Sequence, residues 1–144
     1  VQLSKFSDYA LRVLMYCGLR DGCATPVAEI AAAYGVSQNH LVKVAARLVE
    51  LGLVVATRGR GGGVQLAVAP VEIVLGEVVR ETENLELVEC MGSASGCVLT
   101  GSCKLQRALG RARDAFLAEL DLYSLEDLLK PKRQLQARLF EGSN

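Results

Sequence analysis

The sequence predicts a mainly α-helical fold with one small β wing. Residues 5–51 contain three stretches whose apolar residues recur at helical spacing. Two β-prone runs, residues 53–57 and 64–68, then flank a loop of arginine and glycine, "RGRGGG". A long stretch from Leu105 repeats apolar residues four, three, four and four apart, close to the heptad interval of packed helices. Together these describe a winged helix-turn-helix followed by a long dimerisation helix.

The elements follow in order. Phe6, Ala10, Val13, Leu14 and Cys17 form one face of a helix over residues 5–20, ended by Arg20-Asp21-Gly22. Thr25 is the expected N-cap of a second helix, with Pro26 at its first position, where a missing N–H costs nothing. Val27, Ile30, Ala31 and Tyr34 are its buried face, and Gly35 stops it. Ser37 caps a third helix that buries Leu41, Val44, Leu48 and Leu51 and ends at Gly52. After the hairpin, Pro70 marks a break and residues 73–82 read as a fourth helix. Residues 85–89 read as short and extended. The long helix carries Leu105, Leu109, Ala112, Phe116 and Leu120, a stripe that reads as intrachain core or as a dimer seam, with Leu109, Ala112, Phe116 and Leu120 as the candidate seam residues. Ser124-Leu125-Glu126-Asp127 resembles a capping box for a last short helix, stopped by Pro131. The expected division is a DNA-binding domain over 1–82, a cysteine loop over 83–104, dimerisation and short C-terminal helices over 105–130, and a flexible tail over 131–144.

Composition narrows the function classes. The chain has 144 residues, 51% of them hydrophobic, and no formal net charge. Charge is uneven, however. Residues 1–69 hold seven basic and four acidic residues, net +3; the remainder holds nine and twelve, net −3. The basic half favours a polyanion partner. No run approaches the ~18 apolar residues of a membrane span, and no basic-then-apolar leader is visible. A cytoplasmic protein is expected, with no membrane partner and its five cysteines reduced.

The wing and the third helix are the candidate nucleic-acid contacts. Clustered glycines alone describe a loose hairpin turn. A nucleotide-phosphate loop would run from strand into helix, whereas this one joins strand to strand. Beside a helix-turn-helix, Arg58 and Arg60 suit phosphates or a narrow minor groove, and Gly61, Gly62 and Gly63 would let the backbone come close. Gln38, Asn39 and His40 begin the third helix, where base edges are met. Lys5, Lys43 and Arg47 are candidate phosphate contacts, which position without specifying sequence.

Cys90, Cys97 and Cys103 lie in a Gly/Ser-rich stretch, "CMGSASGCVLTGSC". Free cysteine is usually a small buried hydrophobe, a role that suits Cys17 and Cys23 better than three residues of a polar loop. Metal or cluster binding is the expectation. Structural zinc prefers closely paired ligands, four in all, and the common ferredoxin spacings do not match either. Three thiolates imply an unusual fourth ligand or an open iron, which suits a sensor.

These features resemble the Rrf-type winged-helix transcription regulators, and within them the nitric-oxide-sensing branch. The likeness rests on "RGRGGG", the three cysteines and the long helix. It rests also on "KFSDYALRVLMY", "YGVSQNHLVKV", "VVRETENLELVEC" and "FLAELDLYSLEDLL". The resemblance implies a homodimer on palindromic double-stranded operator DNA. It implies a cluster on Cys90, Cys97 and Cys103, four-iron four-sulfur, with a two-iron cluster as the alternative. It implies Asp8, supplied by the partner subunit, as the fourth ligand. A histidine three residues after the last cysteine marks the two-iron branch, and that position is Gln106 here. The expected function is a non-enzymatic repressor released from DNA by nitric oxide. The alternatives are a same-fold sensor of iron–sulfur status or oxidation, and a redox or electron-transfer protein.

Overall fold

The computed structural model describes residues 1–92, 96–99 and 101–141. Helix α1 (Lys5–Leu19) begins where Ser4 accepts the N–H of Ser7, and it buries Ala10, Val13, Leu14, Tyr16, Cys17 and Leu19. Helix α2 (Val27–Tyr34) buries Ile30 and Ala31 and ends at Gly35 in the left-handed conformation. Helix α3 (Gln38–Glu50) starts at Ser37, whose hydroxyl accepts the His40 N–H, and buries Leu41, Val44, Ala45 and Leu48. These faces meet in one core, as periodic apolar stripes on short helices must.

The wing is an antiparallel pair, β1 (Val54–Thr57) and β2 (Gly63–Leu66), in the register Val54 to Leu66 and Thr57 to Gly63. Thr25 joins it instead of capping α2. Its N–H donates to Val64 O at 2.9 Å, and its carbonyl accepts from Val64 N–H at 2.8 Å. Pro26 takes the N-cap place without a side-chain bond. A buried backbone pair outweighs a local cap here, because Thr25 is fully buried and its polar groups must be satisfied.

The wing glycines have two different causes. Gly59 and Gly61 have φ of 88° and 70°, with open space where a side chain would stand. A Cβ on Gly62 would overlap Thr57 O, and one on Gly63, at φ 142°, would overlap the Thr25 carbonyl. The last two glycines are therefore required by the wing itself, a cause internal to the fold that stands beside the backbone approach expected of Gly61, Gly62 and Gly63. Gly61→Ala should cost about 1–2 kcal/mol, the left-handed penalty alone. Gly63→Ala should cost more, since it adds a backbone clash, and the two denaturation midpoints compared under the same conditions check this order.

Helix α4 (Leu75–Thr82) buries Leu75, Val78 and Val79. The segment before the cysteines pairs with no strand; Val88 is extended and a 3-10 turn, Glu89–Met91, follows. Helix α5 (Lys104–Leu120) buries only Leu117 within the chain. Helix α6 (Leu125–Leu128) begins with the anticipated capping box, Ser124 N–H to Asp127 Oδ2 at 2.9 Å and Asp127 N–H to Ser124 Oγ at 3.4 Å. No helix among the described residues is long and apolar enough to cross a membrane.

The expected flexible tail is a correction. Helix α7 (Lys132–Gln136) runs into a π-helical turn, Ala137–Glu141. Leu135, Leu139 and Phe140 pack on the core. Phe140 meets Tyr16 edge-on at 5.1 Å, Gln136 donates to Leu19 O at 2.9 Å, and Lys132 pairs with Asp21. Apolar residues spaced 135, 139 and 140 supply the burial that orders the segment. Residues 142–144 lie outside the described residues.

Candidate nucleic-acid interface and metal centre

Helix α3 turns its buried face to α1 and α2 and its other face outward. Gln38 and Asn39 are exposed, as are Val42, Lys43 and Ala46. Arg58 and Arg60 are exposed at the hairpin tip, without an ion pair among the described residues. Lys5 is exposed at the start of α1. These positions offer a cationic and polar set of side chains with few competing intrachain bonds.

Two expected contacts are placed otherwise. The His40 ring is half-buried, 4.9 Å from Tyr9 and 6.2 Å from Phe6, so it buttresses α3 on α1. Arg47 donates to Glu50 at 3.2 Å and to Glu81 at 3.1 Å. Its charge is already engaged, and a phosphate would have to compete for it.

The five cysteines separate by environment. Cys17 is buried, its Sγ 3.8 Å from Val64 O, and burial pushes its thiol up to about 12. It cannot serve as a thiolate and is a core residue, as expected. Cys23 is exposed rather than packed. Cys90, in the 3-10 turn, and Cys103 are half-buried, and Cys97 is exposed. Cys103 is the N-cap of α5, with no side-chain bond to the helix. Gln106 Nε2 donates to Cys90 O at 2.8 Å and ties the two ends of the cysteine loop together.

Among the described residues, no three His, Cys, Asp or Glu side chains are gathered closely enough to hold a metal ion. Residues 93–95 and 100, inside the loop, lie outside the described residues. The donor set nevertheless fits an iron–sulfur group by its chemistry: three thiols outside the core, one at a helix N-terminus, on a loop whose ends are pinned. Convergence on one centre requires that loop to close.

Asp8 stands in the first turn of α1 and is 43% exposed. Its Oδ1 accepts from Arg12 Nε at 3.0 Å, and Arg12 lies over the rings of Tyr9 and Tyr34. The i,i+4 spacing of Asp8 and Arg12 was a readable signal for this pair. A second set of bonds could not be read from spacing. Buried Ser7 accepts from Thr82 Oγ1 at 3.0 Å, and Ser4 N–H donates to Glu83 Oε2 at 2.8 Å. Burial raises the Glu83 carboxyl, but hydrogen bonds from Ser7 and Ser4 outweigh it and hold the group below its usual range. Its contribution to stability is therefore present at neutral pH and is lost as pH falls through the lowered value. These bonds fix the helix carrying Asp8 to the end of α4, where the cysteine segment begins.

Residues 3–131 match the Rrf2 family, described as iron-dependent transcriptional regulators. The chain belongs to the Rrf2 family. It is 47% identical to the HTH-type transcriptional regulator NsrR of Geobacillus kaustophilus (strain HTA426), over 98% of both chains. The structure of CymR, the global cysteine regulator of B. subtilis, matches with a TM-score of 0.71 at 30% identity, over 89% of this chain and 95% of that one. T. potens IscR matches with a TM-score of 0.73 at 22% identity, over 94% and 91%, a likeness of fold. The mainly helical fold with a two-stranded wing is that of these regulators, and the chain is a transcription regulator.

Proposed function

We propose that the chain is a dimeric repressor that binds operator DNA and is released by nitric oxide through an iron–sulfur cluster. The wing carries the DNA reading: two exposed arginines without a described ion pair, at the tip of a hairpin bolted to the core by Thr25. Gln38 and Asn39 meet base edges at the start of α3. Lys43 and the wing arginines neutralise phosphates. His40 holds α3 at its angle to α1.

The cysteine loop carries the sensing. Cys90, Cys97 and Cys103 would hold the cluster, and Asp8 of the partner subunit would complete it. Gln106 offers an amide, not an imidazole, which favours the four-iron form over the two-iron form. When bound, the cluster supplies exposed iron with affinity for nitric oxide. Arg12 holds Asp8 Oδ1 at 3.0 Å, which would leave the other carboxylate oxygen to serve as the ligand atom with the ion pair kept. Losing that ligand would untie the two DNA-binding halves. The two states would differ in that ligand bond, which is what a signal needs to shift their balance.

The wing tests the DNA reading. Changing Arg58 and Arg60 together to Ala should weaken binding to every duplex. If both meet phosphates, the slope of log K against log salt should fall by about 1.8 per chain, at ~0.9 per phosphate. Titration of a fluorescent duplex at several salt concentrations measures it. An unchanged slope would remove the wing from the interface.

A further inference from the structure

Helix α4 carries two charged residues in succession that point to different neighbours. Arg80 Nη1 and Nη2 donate to Asp121 Oδ1 and Oδ2 at 2.7 and 2.9 Å, a fork-on-fork pair at the C-cap of α5. Glu81 Oε2 accepts from Arg47 Nη2 at 3.1 Å, and the same nitrogen reaches the Glu81 carbonyl at 3.4 Å. Arg47 lies in the last turn of α3. A continuous path of ion pairs thus runs from the helix proposed to enter DNA, across α4, to the helix proposed to join the dimer.

The two halves of this path rest on different packing. Where α4 meets α5, a Cβ on Gly76 would overlap Asp121 Oδ1 and stand 3.0 Å from Leu117 O. The two helices touch backbone to backbone there. Where the end of α3 faces α4, a cleft of about 300 Å³ opens instead, lined by Leu51, Leu53, Glu77, Val78, Arg80 and Glu81. Apolar contact leaves slack on that side, and the Arg47–Glu81 pair straps across it. Both pairs are partly exposed, with side chains 36–55% accessible. Such pairs add little to stability. What a forked, two-bond pair does supply is direction.

We propose that Arg80 and Glu81 are positioning residues that set the tilt of α3 relative to α5, and so the separation of the two recognition helices in the dimer. This rests on the DNA-binding dimer proposed above and adds the determinant of half-site spacing. Inserting one base pair between half-sites moves them by roughly 3.4 Å and turns them by roughly 35°. A stiffly held pair of helices rejects that change; a loosely strapped pair tolerates it.

The test uses the full chain, reconstituted anaerobically, and a palindromic duplex selected by the wild-type protein from a random library. Binding is measured on that duplex, on the same duplex with one base pair inserted at its centre, and on one half-site. The wild-type chain should lose tenfold or more on insertion. Glu81→Gln, which keeps shape and removes charge, and Arg80→Gln, which removes the charge and the guanidinium fork, should lose threefold or less, with the unfolding midpoint unchanged. The insertion penalty is a ratio, so any uniform gain from releasing Arg47 cancels. An unchanged penalty in both variants would overturn the proposal. So would a half-site affinity that falls in step with the unfolding midpoint, the mark of a purely structural role. Failure of the wild-type chain to select a palindrome would defeat the DNA-binding dimer itself, and would show before any variant is made.

Discussion

Replacing Cys90, Cys97 or Cys103 singly with Ala will give a folded chain that assembles no stable iron–sulfur centre. None of the three lies in the core, whose buried cysteine is Cys17, so the fold loses almost nothing. Each thiolate is proposed to hold one iron, and no other described Cys or His is placed to replace it. Anaerobic reconstitution, read by visible absorption and by iron and sulfide content, should return near-zero incorporation for all three variants. Operator binding should be lost with it. Asp8→Ala should be milder: a carboxylate is a harder and weaker ligand for iron than a thiolate, so a centre forms but is labile. Cys17→Ala should leave the centre intact. Wild-type incorporation in any loop variant would remove that cysteine from the ligand set.

Phe116→Glu should break the dimer. Helix α5 is long, yet Leu117 is its only residue buried within the chain. Leu105 is 63% exposed and Phe116 42%. Phe116 and Ala112 also line an apolar groove with Leu3, Leu85 and Leu87. Leu109 and Leu120 are half-buried on the same stripe. A second copy of the chain is the proposed cover. A glutamate placed in that seam is an unpaired charge removed from water, at about 3–5 kcal/mol, or roughly two to four orders of magnitude in dimer affinity. Sedimentation velocity should find a folded monomer, and operator affinity should collapse because two half-sites need two linked helices. A wild-type chain that sediments as a monomer would end this account of α5.

Much of the fold was legible because its signals are local. Periodic apolar residues placed α1, α2 and α3, and Ser37, Gly35 and the Ser124–Asp127 box marked their ends or starts. What escaped was decided by partners distant in sequence. Thr25 carries the signature of a cap, but Val64, 39 positions on, claims its backbone. The tail is polar enough to look loose, yet Tyr16 and Leu19 offer Phe140 and Gln136 a surface. Gly62 and Gly63 read as room for a partner, and Thr57 and Thr25 add a cause that spacing could not show. His40 and Arg47 stand on the helix a sequence pattern assigns to DNA, but Tyr9 and Glu81 engage them first. The cysteine loop reads in the sequence as a candidate ligand set and not as a geometry, because its residues share no regular period.

The central claim is that nitric oxide releases the DNA by acting on the cluster. Its direct test is operator binding by the anaerobic, cluster-loaded chain during titration with nitric oxide. Cluster absorption and DNA anisotropy are followed in the same cuvette. The two signals should fall together, and the Arg58/Arg60 variant should show the absorbance change without a DNA signal to lose. Full operator binding after the cluster absorption has been bleached would contradict the mechanism.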